Sequence, residues 1–200
     1  MGRFRNRRVS APFRDIQMIG SDEPVLTLEP FIAAVRDGVE GAGWTLSGLQ
    51  KTTSHEYEGR WRGESSRSAF LFFHRPAGDD GASIESFIDE TSRGAEGNLS
   101  LVLEGPPLER LGDARSALAA VASAAHRRLP GRARVSLKLR LDDAGEPVAR
   151  AATEIRVKVA VGEPALRAGV AAVAEVAASA VRSFERLLED PELRPYSDGR

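Results

Sequence analysis

The residues of this chain that are best suited to chemistry are arginines, and they are concentrated at its beginning. The stretch RFRNRRVS contains Arg3, Arg5, Arg7 and Arg8. A guanidinium group is permanently charged and presents a planar set of donors that match carboxylates and phosphates. The stretch therefore predicts an anion-binding arm. The two arginines shortly before Ser10 also resemble a basophilic kinase site, and a phosphate there would remove about two positive charges.

The charge of this arm is opposite to that of the remaining chain. Residues 1–14 carry five arginines and no acid, so the rest of the chain carries 23 basic and 29 acidic groups, a net charge of −6. We therefore expect the arm to bind an acidic partner or the acidic body of its own domain. A solubilising tail without a partner is the alternative.

A second group of cations follows an alternating pattern at residues 134–161. In RVSLKLRL, and again after the DDAGEP loop, apolar residues alternate with charged ones. This period of two predicts an antiparallel hairpin with one apolar and one basic face. The predicted basic face consists of Arg134, Lys138, Arg140, Arg150, Arg156 and Lys158, interrupted by Glu154. We expect it to bind phosphates or an acidic surface; a solvated face that keeps sheets from associating is the alternative.

No pattern in the sequence predicts a catalytic, metal or nucleotide site. The chain has no cysteine, no G-x-S-x-G elbow and no G-x-G-x-x-G or Walker loop. His55 and His74 could face each other on neighbouring strands, but two ligands do not complete a metal site. Acidic pairs such as Asp142 with Asp143 are placed in loops or at helix ends. The sequence therefore favours a non-enzymatic protein, with no catalytic residue, no metal and no cofactor assigned.

Targeting segments are not apparent in the sequence. The residues APFRDIQMIG after the paired arginines lack the apolar run of an export signal. The longest weakly polar stretch, VAAVAEVAASAV, is interrupted by Glu175 and is too short to span a membrane. We expect a cytoplasmic protein.

Hydrophobic periodicity divides the chain into a flexible arm at 1–24, one domain at 25–190 and a frayed tail at 191–200. The predicted elements are a helix near 28–41, strands at 44–62 and 66–75 joined by RGES, an undecided helix or strand at 83–93, a strand at 99–105, a helix at 113–129, the hairpin at 134–161, and a long helix from Pro164. AFLFF, at 69–73, is apolar on both faces, which predicts a central strand covered on each side.

The two later helices each have a predicted apolar stripe. For the helix at 113–129, capped by Asp113, the stripe is Ala114, Leu118, Val121, Ala125 and Leu129. For the last helix it is Leu166, Val170, Val173, Ala177, Ala180, Phe184, Leu187 and Leu188. The heptad-like spacing within the second set permits helix pairing in a homodimer, and burial on the sheet explains it equally well.

These elements predict a single α+β domain with an antiparallel sheet of about five strands, helices mainly on one face, and a long C-terminal helix. Their order, α-β-β-β-α-β-β-α from the helix at 28–41 to the last helix, resembles the small dimeric type III secretion chaperones. That resemblance covers about 165 residues and depends on element order, without a specifying motif. A helix-grip fold is the alternative.

Three functions from different classes are compatible with this pattern. The first is a non-enzymatic cytosolic adaptor or chaperone-like protein, expected to form a homodimer, that binds a protein partner through its sheet, last helix and arm. The second is a nucleic-acid-associated protein that uses the arm and the basic hairpin face. The third is a carrier or enzyme with an apolar cavity under the last helix, lined by Trp44, Trp61 and residues 70–73.

Overall fold

A computed structural model describes residues 28–53, 67–76, 81–91, 94–105, 111, 113–129, 131–139, 141–145, 153–162 and 168–197. The helices are α1 (Leu28–Gly41), α2 (Ala114–Arg128), α3 (Val170–Leu188) and α4 (Arg194–Ser197). The strands are β1 (Thr45–Thr53), β2 (Arg67–His74), β3 (Ala82–Thr91), β4 (Gly94–Gly105), β5 (Arg134–Leu139) and β6 (Thr153–Val161). None of the helices in these ranges is long and apolar enough to cross a membrane.

The strands form one antiparallel sheet in the order β1-β2-β3-β4-β6-β5. The α+β class and the antiparallel sheet are as predicted, but the sheet has six strands rather than about five. The additional strand is β3, which includes residues 83–91 of the segment at 83–93 that periodicity left undecided. Its alternation is obscured because the polar Ser86 is buried on the helix side while the neighbouring Phe87 lies on the other side.

Helices α1, α2 and α3 pack against one face of the sheet and form a single core with it. Strands β2, β3, β4 and β6 contribute alternate apolar residues to this core, among them Leu71, Phe73, Ile84, Ile88, Leu99, Leu101, Ile155 and Val157, and β5 packs the partly buried Val135 and Leu137 against it. Phe31 of α1 lies directly over Gly97 of β4, where a Cβ atom would come within 2.6 Å of the ring. The face that receives the helices is called the helix face below, and the opposite face is called the open face.

The stretch at 69–73 was predicted to be covered on both sides, and this prediction is wrong within the described residues. Ala69, Leu71 and Phe73 are buried on the helix face, but Phe70 is 37% exposed on the open face. The reason is that β2 is the second strand from the edge of a two-layer fold, so helices cover it from one side.

The apolar stripe predicted for the last helix is largely buried within the domain itself. Val173, Ala177 and Phe184 of α3 belong to the core, whereas Val170 is 40% exposed at the start of the helix. The helix is described from Val170 onwards, so the predicted start at Pro164 lies outside the described residues. Because α3 packs its stripe against α1 and the sheet, burial explains the heptad-like spacing, and this stripe is not exposed for pairing with a second chain.

Helix α2 begins as predicted and is partly rotated relative to its predicted stripe, of which Val121, Ala125 and Leu129 are buried. The carboxylate of Asp113 accepts hydrogen bonds from the backbone N–H groups of Arg115 and Ser116, which caps the helix. The fully buried positions include Ala117 and Ala124, while the predicted core residues Ala114 and Leu118 are half-buried. This rotation follows from packing at the margin of the domain, where α2 contacts β5 and α3.

The predicted tail at 191–200 differs from the structure, since residues 191–197 fold back onto the domain. Leu193 is fully buried in the core, and α4 follows it. The carboxylate of Asp190 accepts hydrogen bonds from Arg128 at 3.1 Å and Arg127 at 3.4 Å, which joins the end of α3 to the end of α2. The buried Leu193, the partly buried Tyr196 and an ion pair between Arg127 and Glu192 hold a segment whose sequence shows no periodicity.

Candidate binding face

The candidate site is the part of the open face built by β2, β3, β4, β6 and β5. It forms a concave surface that encloses a volume of about 640 Å³. Its lining comprises Phe70, Glu85, Ser86, Phe87, Asn98, Ser100, Arg134, Val135, Ser136, Lys138, Arg156 and Lys158. Antiparallel register places most of these side chains on the open face, because alternate residues of paired strands point to the same side.

Four of the predicted hairpin cations are brought together on this surface. Arg134 and Lys138 lie on β5, and Arg156 and Lys158 lie on the neighbouring strand β6, where Lys158 is directly opposite Arg134. The hairpin and its basic outer face are therefore as predicted for these residues. Arg140 and Arg150 lie outside the described residues, as do the arm arginines Arg3, Arg5, Arg7 and Arg8 and the proposed phosphorylation site Ser10.

Glu154, which the sequence suggests merely interrupts the basic face, is buried at the centre of an ion-pair network. Its side chain is 4% exposed. It pairs with the Nε of Arg156 and lies 3.5 Å from the Nζ of Lys138. Arg156 also donates to Glu85 of β3 at 2.5 Å. The network therefore neutralises Arg156 and Lys138 with carboxylates from two strands.

Burial and the two neighbouring carboxylates both change the pKa of Arg156. Burial of the guanidinium lowers its pKa, while the hydrogen bonds and charges of Glu154 and Glu85 raise it more, so the net pKa lies above the ordinary value for arginine. The group is permanently charged and held in place. Val102, the residue opposite Arg156 on β4, is 5% exposed although it lies on the open face.

Arg134 and Lys158 differ from the other two cations. They are direct cross-strand partners and both are exposed. Within the described part of the chain neither has an ion pair with a carboxylate. Like charges on directly opposite residues of neighbouring strands destabilise a sheet. Asn98, Ser100 and Ser136 line the same surface and add an amide and two hydroxyl groups as further donors.

An apolar area adjoins these donors on β2 and β3. The rings of Phe70 and Phe87 are cross-strand neighbours whose centroids lie 4.7 Å apart at an angle of 45°. Tilted aromatic pairs of this kind are favourable, and an exposed pair offers contact area to a ligand. The concave surface therefore combines aromatic, neutral polar and cationic groups.

A second concave surface, of about 1270 Å³, meets the first one at the Arg134–Lys158 pair. It runs between α2 and the ends of β4, β5 and β6. Its lining includes Leu118, Ala122 and His126 of α2, and Leu129 and Arg132 of the segment between α2 and β5. Asn98, Arg134, Val135 and Lys158 line both surfaces. The unpaired cations thus stand at the junction of the two.

The cavity predicted under the last helix is not among these surfaces, since neither is lined by a residue of α3. Trp44 is buried, and its Nε1–H donates to Glu185 of α3 at 2.6 Å. Arg75 lies over the same ring, 5.4 Å from its centroid, and pairs with Glu185. Trp44 therefore joins α3 to the sheet. Trp61 lies outside the described residues.

The acidic and histidine residues considered for chemistry do not converge. Over the described ranges, no group of three potential metal ligands is present. His74 is exposed on the open face of β2, and His55 lies outside the described residues. Asp142 accepts a hydrogen bond from the N–H of Ala144 at 2.9 Å, as expected for a turn residue.

No protein-family model, no curated protein and no solved structure matches this chain. The resemblance to type III secretion chaperones therefore remains a prediction from element order.

Proposed function

We propose that the chain is a non-enzymatic cytosolic binding module, an adaptor or chaperone-like protein, that holds an acidic segment of a protein partner on the open face of its sheet. The observation that carries this proposal is the Arg134–Lys158 pair, two like charges directly opposite each other without an acidic partner among the described residues. An acidic ligand would relieve their repulsion. The Phe70–Phe87 pair supplies an apolar contact beside them.

A protein segment fits this face better than a nucleic acid does. The open face also carries the acids Glu85, Asp89, Glu96 and Glu104 on β3 and β4. A phosphate backbone that crossed the aromatic pair would pass close to these carboxylates and be repelled by them. A short segment with one or two acidic residues and an apolar anchor avoids that repulsion.

The proposal also includes a homodimer, but one that does not pair through the last helix. We retain a homodimer as a hypothesis, but its interface would have to involve surfaces other than the buried stripe of α3. Static light scattering of the full chain over a range of concentrations measures the state directly.

The proposal is tested with a labelled peptide in which two glutamates flank one phenylalanine among neutral polar residues, titrated into the ¹⁵N-labelled full chain. We expect shifts of the amides of β5, β6 and β4, and at least about tenfold weaker binding by R134E/K158E, a loss of about 1.4 kcal/mol or more. The matched control is R182E, which reverses an exposed charge on α3. Equal affinity of all three proteins, or stronger binding of an oligothymidylate than of the peptide, contradicts the proposal.

A further inference from the structure

We propose that the Arg134–Lys158 pair binds a phosphorylated side chain of the protein partner. This inference rests on the proposed function and specifies the acidic group that the open face recognises. The pair presents two cations that the described carboxylates leave unneutralised, while Arg156 and Lys138 are already paired with Glu154.

The charge of the ligand follows from this arrangement. A carboxylate carries one negative charge and would neutralise one of the two cations. A phosphomonoester carries about −1.5 to −2 at neutral pH and has three acceptor oxygens. It can therefore accept from a guanidinium and an ammonium group at the same time, and charge-assisted hydrogen bonds of this kind are about twice as strong as neutral ones.

The neighbouring groups have the donor chemistry that such an anion requires. Lys158 is opposite Arg134 on one side and opposite Ser100 of β4 on the other. Asn98 and Ser136 line the same concave surface, so amide and hydroxyl donors are available beside the two cations. No carboxylate among the described residues makes an ion pair with either cation, so an incoming phosphate would not have to displace one.

The position of the pair also fits a phosphate carried on a polypeptide. The cations stand where two concave surfaces meet, with the Phe70–Phe87 pair on one side and Leu118 and Ala122 of α2 on the other. A peptide that placed its phosphate on the pair could therefore make apolar contacts on either side. A free phosphate ion would use neither apolar area.

The test uses three fluorescein-labelled peptides that are identical except at one central position, which holds phosphoserine, glutamate or serine between flanking leucine and phenylalanine residues. Binding is measured by fluorescence anisotropy with the full chain. We expect the phosphoserine peptide to bind at least about tenfold more tightly than the glutamate peptide, which corresponds to about 1.4 kcal/mol. R134Q/K158Q should remove this preference, R182Q should keep it, and R134K/K158R should retain most of it.

The remaining outcomes separate this inference from the proposed function. Equal binding of the phosphoserine and glutamate peptides overturns the phosphate inference and leaves the proposed function intact. Binding of neither peptide above the serine peptide overturns both. Inorganic phosphate that competes at the same concentration as the phosphopeptide shows a free-anion site and overturns the inference, as does an oligothymidylate that binds more tightly than the phosphopeptide.

Folding of the variants is not an obstacle to this test. Replacing either cation with glutamine removes a repulsion between neighbouring strands, so R134Q/K158Q should melt at the same temperature as the unmodified chain or slightly above it. A lower melting temperature would show that the pair has a structural role, and this outcome would count against the inference.

Discussion

At the scale of single residues, Glu154 divides the cations of the hairpin into two classes. Arg156 and Lys138 are held by this buried carboxylate, and Arg156 is additionally held by Glu85. The other two cations are exposed and have no acidic partner within the described ranges. The first class organises the surface, and the second is therefore the one that we assign to binding.

This division predicts that Glu154 contributes to stability. The variant E154Q keeps the size of the side chain but leaves Arg156 with one carboxylate partner instead of two. We expect the free energy of unfolding to fall by about 1–3 kcal/mol, since the guanidinium group of Arg156 is mostly shielded from water and would lose one of its two charged partners. Urea unfolding followed by circular dichroism measures the change.

A matched control lies directly across the sheet. Glu104 of β4 is the cross-strand partner of Glu154 but is exposed. The variant E104Q removes the like charge opposite Glu154, so it should leave stability unchanged or raise it by less than about 0.5 kcal/mol. Equal effects of the two variants would show that the network around Glu154 is not a stabilising unit.

At the scale of elements, the close approach of α1 and α3 determines how the helix layer sits on the sheet. A Cβ atom at Gly38 would overlap the carbonyl oxygen of Ala174 and approach the Cβ of Ala177 to 2.9 Å. Helices can pack this closely when one of them presents glycine. The small residues of α3 therefore have a packing role in addition to their helix propensity.

The prediction at this position is a loss of stability in G38A. The two helices would have to separate, and we expect unfolding to become easier by about 1–3 kcal/mol, the usual cost of overpacking. Gly41, at the end of the same helix, provides the control because a Cβ there meets nothing within 4 Å. The free energy of unfolding of G41A should be unchanged or higher by up to about 1 kcal/mol. Thermal unfolding of both variants measures the difference. A G38A protein as stable as G41A would contradict this account of the packing.

Elements with a strong local hydrophobic period could be predicted from the sequence, and elements without one could not. Helix α1 was predicted at its observed bounds, and the β5–β6 hairpin was predicted from its alternation, because both have a strong local period. Strand β3 could not be assigned, because Ser86 lies inside and Phe87 outside. The role of Glu154 could not be predicted for a related reason. Its network includes Glu85, which is distant in sequence and becomes a neighbour only once the strand order is known.

At the scale of the whole molecule, carboxylate–arginine contacts fasten the ends of the helices to the rest of the domain. Glu90 of β3 accepts from the N–H of Leu28 at 3.1 Å, and Arg67 joins Glu90 to Glu29 at the start of α1. Asp190 fastens the end of α3 to the end of α2. Folding lowers the pKa of Glu90, mainly through its hydrogen bond with Arg67. Acid should therefore weaken the attachment of the helices.

Asp190 provides the test of this expectation. The N–H of Glu192, which donates to it at 3.1 Å, is the main cause of its lowered pKa, and Arg128 and Arg127 lower it further against the opposing effect of burial. A carboxylate whose pKa is lowered by folding stabilises the fold above the pKa of an ordinary aspartate, about 3.9. This stabilisation is lost as the pH falls through the lower pKa of the folded state.

The variant D190N retains an oxygen that can accept from Glu192 but loses the charge that attracts the two arginines. We expect its melting temperature to lie below that of the unmodified chain at pH 7, and the difference to shrink steadily as the pH falls below about 4, where the carboxylate becomes protonated. D143N, a substitution of an exposed turn residue, should show no such pH-dependent difference. Differential scanning calorimetry between pH 3 and pH 7 measures all three proteins. A D190N difference that stays constant over this range would show that the contacts of Asp190 act through hydrogen bonding and packing, without a contribution from its charge.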